Sequence, residues 1–501
     1  MTAPGLSAVD HIVVLMLENR SFDHMLGFLY NDSDNRSPLG HPYDGLTGTE
    51  SCPNDAGEQI TVYKITPETP DAYLTPGADP GEGFAATNAQ LFGTETPPRA
   101  AAATNQGFVT NYAKAILANR AKHWHVVPGT TAEMIMGCYA PEALPVLSAL
   151  ARSYAVCDQW FCSVPTMTMP NRAFACAATS QGHLDDHTKI FTTPSIFGLL
   201  NRQGIDWKIY GYTNPPLTRM DFPDTAEASD AHFGLFTDFQ RDTANGTLPG
   251  YAFLEPSWNS TGNSQHPNYN VAAGEQLLLD TYRALRQGLQ WSKTLLIITY
   301  DEHGGCYDHV APPTGVIPPD DSVGEFGFDF TRLGLRVPTV LVSPLIEAGT
   351  VFRVPPDSTP LDHTSILATI EHRFRLDPLT ARDAAAPNIA TVLTRQTPRT
   401  DDPLATVRAP ESPQLPQSLR QTPSHLQKVH ADLAARLITE GHTDGEPPID
   451  LRTSDDYDQY IRARTRAWQA HRPDQKPAAT TQSGPPNPST SGRGHGHEPH
   501  A

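Results

Sequence analysis

Residues 12–17 read Ile-Val-Val-Leu-Met-Leu, an unbroken apolar run that stops abruptly at Glu18-Asn19. A strand with one wet face alternates apolar and polar residues. A run such as this must be covered on both faces, as the central strands of a parallel sheet are. Residues 294–300 (Thr-Leu-Leu-Ile-Ile-Thr-Tyr) and 337–343 (Val-Pro-Thr-Val-Leu-Val-Ser) repeat the pattern, with shorter runs at 207–212 and 251–254. Between them the spacing predicts amphipathic helices over 141–154, 194–203 and 273–287. In the last of these Leu277, Leu278, Tyr282 and Leu285 share a face. Strands alternating with helices predict an α/β fold, a mostly parallel central sheet flanked by helices.

Residues 31–105 are rich in Gly, Pro, Thr and Asp and show little periodicity. They read as a long loop-rich insertion over the active edge of the sheet, inside a catalytic domain spanning 1–395. From 396 to 471 the chain becomes a Pro-rich and then helical C-terminal extension, with helices predicted at 425–438 and 457–471. Residues 472–501 are Pro, Ser, Gly and His with almost no apolar content and read as a disordered tail. His495, His497 and His500 there read as solvated.

Lys plus Arg is 36 against 55 for Asp plus Glu, a formal charge of −19. Neutralising phosphates along a nucleic acid needs a basic face, so nucleic acid is not an expected partner. No stretch approaches the roughly 20 apolar residues that span a bilayer, so no transmembrane segment is expected. The first residues lack a basic region followed by an apolar one, which makes cytoplasmic residence the expectation. Cys52, Cys138, Cys157, Cys162, Cys176 and Cys306 are few and irregularly spaced, without a CxxC pair, and read as buried free thiols.

The chemistry concentrates where the two clearest strands end. Open parallel sheets bind ligands beyond the carboxyl ends of their strands. Here one strand runs into Glu18-Asn19 and the other into Asp301-Glu302-His303-Gly304-Gly305. Taken singly, Glu18 reads as a helix cap and Asp301 as the start of a turn. Together, three carboxylates and an amide make an anionic oxygen pocket whose natural compensator is a divalent cation. A third element, Ser163 to Arg172 (Ser-Val-Pro-Thr-Met-Thr-Met-Pro-Asn-Arg), leads into a small-residue helix and presents Thr166 or Thr168 near its N-terminus. Such a terminus favours phosphate. Spacing alone leaves either hydroxyl as an ordinary cap.

Residues 9–24, 163–172 and 299–310 together resemble the bacterial phosphoesterase family, which contains phospholipases C and acid phosphatases. Further matches at 141–150, 255–267 and 361–367 follow the family's order from about 8 to 375. The resemblance implies an alkaline-phosphatase-like core with one divalent metal ion, its identity open. It implies Glu18, Asn19, Asp301 and Glu302 as metal ligands with Thr168 as a ligand and the nucleophile. His266 would act near the transferring phosphoryl group as a proton donor to the leaving oxygen. Asn19, Arg172 and His266 would contact the substrate, and His363 is a candidate either to contact it or to support the metal ligands from behind. Arg172 reads equally as a clamp for phosphate or a partner for a local carboxylate, and Asp23 and His24 as capping residues. His303 and His309 are candidates to line the pocket. Phe22, Trp160 and Tyr307 read as packing or as the walls of a lipid site.

The implied activity is metal-dependent hydrolysis of a phosphoric ester through a phosphothreonine. The substrate is a phosphate ester or phospholipid, as a phospholipase C-like diester or a monoester. Head-group transfer at the same site and a non-catalytic phosphate- or lipid-binding homologue are the alternatives. Secretion, common in the family, is the alternative to a cytoplasmic location. One position departs from the pattern: Asp79-Pro-Gly-Glu82 carries Glu82 where many members have a histidine against the phosphate.

Overall fold

The computed structural model describes residues 5–472 except 188–190, 260, 268, 412, 414–416, 418–420 and 440–442, so nearly all of the expected tail lies outside the described residues. At its centre is an eight-stranded sheet. In chain order the strands are β1 (His11–Leu17), β2 (Ala155–Cys157), β3 (Trp207–Gly211), β4 (Phe233–Leu235), β5 (Tyr251–Leu254), β6 (Thr294–Tyr300), β7 (Thr339–Val342) and β8 (Thr350–Val351). Across the sheet they lie in the order β8-β2-β7-β6-β1-β5-β3-β4. Only β7 runs against its neighbours; the other pairings are parallel. The expected α/β class is the observed one.

The apolar runs explain the centre. Every residue of β6, and all of β1 after His11, is buried. At about 1.5–3 kcal/mol for each large apolar side chain, that burial fixes these two strands in the middle of the sheet. Their register pairs Leu17 with Tyr300, and Asp301 N–H donates to Leu17 O at 3.3 Å. Glu18 and Asp301 therefore leave the sheet side by side.

The helices that matter for the site are α1 (Phe84–Phe92), α2 (Phe108–Ala121), α3 (Pro145–Ser153), α4 (Thr168–Ala177), α5 (Val271–Gln287), α6 (Thr364–Phe374), α7 (His425–Ala435) and α8 (Ser454–His471). The insertion is more ordered than its composition suggests. It contains the ribbon of Ser51–Pro53 with Gln59–Thr61 and helix α1. Its apolar residues share a core with α2 and with Phe28 just before it, including Leu46, Leu91, Phe108, Tyr112 and Ile116. These segments are each too short to display a period, which is why the sequence reads as loop.

The C-terminal helices fold back over the catalytic part. Leu426, Val429, Leu433 and Ala434 of α7 pack with Met169, Leu217, Met220 and Trp258. Buried Asp458 of α8 accepts from Gln427 at 2.6 Å and from Asn214 at 2.8 Å, tying both helices to the body. All six cysteines are free and buried. Among the described residues no helix is long and apolar enough to cross a membrane.

Candidate functional site

The floor of the site is the pair of strand ends. Asn19 turns the chain in the left-handed region at φ 54°, a conformation asparagine tolerates better than most residues. Its N–H donates to Asp301 Oδ1 at 2.9 Å. The same oxygen accepts from Glu302 N–H at 2.8 Å, while Oδ2 pairs with Arg172 Nε at 3.0 Å. Arg172 also donates to the Met16 and Leu17 carbonyls, and its guanidinium lies over the Trp258 ring at 4.6 Å. Gly304 is required where the two loops touch, because a Cβ there would sit 1.9 Å from Asn19 O.

This floor is densely anionic. Burial pushes the Glu18 carboxyl up to about 8, with nearby Asp301 adding and Arg172 opposing. Burial raises Glu302 as well, and Glu82 and Asp301 reinforce it. Glu302 Oε2 accepts from Gly304 N–H at 2.7 Å. Its Oε1 is buried with no hydrogen-bond partner among the described residues.

The Ser163–Arg172 segment supplies the hydroxyl. Asn171 knots the turn by accepting from Val164 N–H and donating to the carbonyls of Val164, Thr166 and Met167. Pro170 falls in the first turn of α4, where its missing N–H costs nothing. Thr166 Oγ1 donates to Leu184 O at 2.6 Å and is turned away. Thr168 Oγ1 donates to Asn19 Oδ1 at 3.1 Å and faces the pocket. Asp186 accepts from Met169 N–H at 2.7 Å, placing a buried carboxylate at the start of α4.

The opposite wall carries Asp79, Glu82 and His266. Asn19 Nδ2 donates to Glu82 Oε2 at 2.6 Å, so the residue that replaces the family's histidine is bonded to the floor. His266 stacks on Tyr269 with centroids 4.8 Å apart. Arg20 holds the carbonyls of Gln265 and His266 at 2.6 and 3.1 Å. Burial drives the His266 ring down to about 3. The expected proton donor thus sits in surroundings that disfavour its charged form.

Other expected contacts are placed differently. His363 stands behind the site: its Nε2 donates to Asp301 O at 2.6 Å and its Nδ1 accepts from Trp160. It has no nitrogen left for substrate and serves to position Asp301. Of the two roles open for Arg172, the pairing with a carboxylate is the one formed. Helix capping at residue 21 falls to Ser21, whose side chain accepts from His24 N–H, while Asp23 binds Arg336 and His309. His303 bonds Gln90 at 2.8 Å, inside the protein. Phe22, Trp160 and Tyr307 are buried as core.

The sequence reading missed Asp79, Asp186, Trp258 and Tyr269. It also missed Ser424, His425 and Lys428 of the extension, all of which line the pocket. Asp79 stands three residues before Glu82 and could have been found from that motif. The others carry no local signal.

Two places among the described residues bring three carboxylate or imidazole ligand atoms within 4.8 Å of one another: Asp79 with Glu82 and His266, and Asp23 with Asp308 and His309. Glu18, Asp301 and Glu302 adjoin without converging that closely, because the Asp301 oxygens face Arg172 and two backbone N–H groups. The oxygen-rich donor set and the orphaned Glu302 Oε1 nonetheless suit a hard cation.

The profile of the phosphoesterase family matches residues 9–377. Non-specific phospholipase C6 of Arabidopsis thaliana is 37% identical over 421 residues, spanning 79% of this chain and 75% of that protein. Phospholipase C B of Mycobacterium tuberculosis is 29% identical over 417 residues, spanning 74% of each. Among solved structures, a protein of the alkaline phosphatase superfamily from Vibrio parahaemolyticus matches 48% of this chain and 64% of its own, at 13% identity and TM-score 0.29. That likeness is too slight to argue from, and the fold stands on its own topology. The chain belongs to the phosphoesterase family and is a hydrolase of phosphoric ester bonds.

Proposed function

We propose that the protein cleaves a phospholipid-like phosphodiester as a phospholipase C does, with Thr168 as nucleophile. The relatives named phospholipase C support the substrate class. One observation carries the residue: Thr168 Oγ1 lies 3.1 Å from Asn19 Oδ1, at the meeting of two acidic strand ends and the start of α4.

Glu18, Asn19, Thr168, Asp301 and Glu302 would hold one divalent cation. When bound, it would lower the pKa of the Thr168 hydroxyl and offset charge on the phosphoryl oxygens. Thr168 Oγ1 forms a bond to phosphorus as the bond to the leaving alcohol breaks; the hydroxyl proton goes to solvent and the alkoxide takes one from solvent. Water then opens the phosphothreonine ester, restoring the hydroxyl and releasing the phosphorylated head group. Asn19 orients the nucleophile, while Arg172 and His363 hold Asp301 in place.

Thr168→Ala is expected to lower phosphocholine release from phosphatidylcholine by about a thousandfold or more with an unchanged circular dichroism spectrum. Acid quenching of the wild type should trap phosphothreonine at residue 168. A Thr168→Ala enzyme at wild-type rate overturns the nucleophile. Phosphate release from p-nitrophenyl phosphate, with none of the diester cleaved, overturns the substrate class.

A further inference from the structure

Asp79, Glu82 and His266 take no part in the reaction above, yet all three face its pocket. Their geometry is that of ligands. His266 Nδ1 lies 3.1 Å from Pro267 O, an oxygen that can only accept, so the ring carries its proton on Nδ1 and presents a lone pair at Nε2. Facing that lone pair at 3.8 Å is Glu82 Oε2, itself an acceptor. Asp79 Oδ1, 3.8 Å from the same ring, is buried with no hydrogen-bond partner among the described residues. His266 as a whole is only 8% exposed, and Nε2 makes no hydrogen bond among those residues. Lone pairs turned toward one another out of bulk water repel. A cation satisfies all of them at once.

The set is also held in place. Tyr269 stacks on the imidazole, Arg20 fixes its backbone carbonyl, and Asn19 Nδ2 grips Glu82. We infer that Asp79, Glu82 and His266 form a second divalent-cation site on the wall opposite Thr168. Asn19 joins it to the first, its Oδ1 facing Thr168 and its Nδ2 facing Glu82. The inference rests on the one-cation reading above for what the ion does there, which is to offset charge on a phosphoryl group seated between the two sets. Ligands bound at about 2.0–2.2 Å lie at most about 4.4 Å apart. Small inward rotations close the present set, whose atoms lie within 4.8 Å. Two carboxylates and an imidazole suit Zn²⁺ or Mn²⁺ better than Mg²⁺ or Ca²⁺.

The experiment counts metal. The full chain is stripped with chelator, dialysed against Mn²⁺ and analysed for bound metal per chain; Mn²⁺ is used because it binds stray imidazoles more weakly than Zn²⁺ does. Two ions are expected in the wild type, and one each in Glu82→Gln, Asp79→Asn and Glu18→Gln. Glu82→Gln preserves shape and the acceptor for Asn19 Nδ2, and its circular dichroism spectrum checks the fold. One ion in the wild type, kept in Glu82→Gln and lost in Glu18→Gln, overturns the second site and leaves the first standing. One ion lost in Glu82→Gln and kept in Glu18→Gln overturns the first and supports the site inferred here. Two ions in Glu82→Gln, or none in the wild type, also overturn it.

Discussion

Two carboxylate–histidine groups stand out among the described residues, Asp79 with Glu82 and His266 lining the pocket and Asp23 with Asp308 and His309 away from it, and they end up electrically opposite. The loops after β1 and β6 contribute to both places: Glu18 lines the pocket and Asn19 bonds Thr168 and Asp301, while Asp23, Asp308 and His309 make the other group. Through the second group runs Arg336, fully buried, with Nε on Asp308 at 2.9 Å and Nη2 on Asp23 at 2.8 Å. Its Nη1 donates to the carbonyls of Asp44 and Asp158. His309 adds a second cation: burial opposes its charge, but Asp23 and Asp44 outweigh burial and raise it to about 10. At the pocket burial dominates His266, with Arg20 and His425 pushing the same way, and lowers it to about 3. The same residue types therefore make a self-neutralised structural knot in one place. In the other they make a set of lone pairs facing a cavity. Counting carboxylates near a histidine cannot separate the two cases; asking which cation already sits among them can.

The largest expected effect breaks the knot. Arg336→Met leaves Asp23 and Asp308 buried without their shared partner, and removal of one member of such a network typically costs about 3–5 kcal/mol. Urea unfolding measures it. A variant as stable as the wild type would mean that Arg336 is not what settles this group, and the contrast with the pocket would lose its basis.

That contrast also marks where the sequence stops being readable. β5 and β6 match the expected runs end to end, and β1 differs only by starting at His11, because burial on both faces leaves continuous apolar stretches. β2, β4 and β8 have two or three residues each and were not expected, since no period fits in so short a span. The reversed direction of β7 leaves no trace in composition. Glu18, Asn19, Asp301 and Glu302 were legible because they follow strands that were. Spacing alone left Thr168 and Thr166 open; the resemblance pointed to Thr168, and the bond from Thr166 to the Leu184 carbonyl shows Thr166 turned away. Asp186, Trp258 and the α7 residues come to the pocket through tertiary packing of distant segments. Arg336 escaped notice for the same reason, since nothing in the sequence around it names its partners.

A smaller effect sharpens the comparison through pH. The His309 pKa is raised in the folded protein, from an ordinary 6.5 to about 10. The stabilisation from its charged contacts is then complete below about 6.5 and is lost as pH rises through 10. His266 has the opposite sign. Its folded pKa is depressed, so the unfolded ring takes up a proton that the folded one refuses, and stability falls as pH drops from 6.5 toward 3. Unfolding free energies measured from pH 6.5 to 10 should decline in the wild type and decline less in His309→Gln. Equal slopes would mean that His309 is not charged against Asp23 and Asp44.

The smallest effect is expected from Asp79→Asn measured in the presence of chelator. Burial pushes the Asp79 carboxyl up to about 7, against the pull of Arg20 and Lys122. Its Oδ1 has no hydrogen-bond partner among the described residues, so the amide removes a strained charge and breaks no bond at that atom. Stability should change by less than about 1 kcal/mol, in the stabilising direction. With Mn²⁺ at about a hundredfold over its dissociation constant, each bound ion adds about 2.7 kcal/mol to the folded state. The wild type should then overtake the variant, which keeps only the ion at Glu18 and Asp301. A loss of several kcal/mol in chelator would instead make Asp79 a structural partner of the kind Asp308 is to Arg336. The pocket wall would then be a second knot, and the difference between the two groups would vanish.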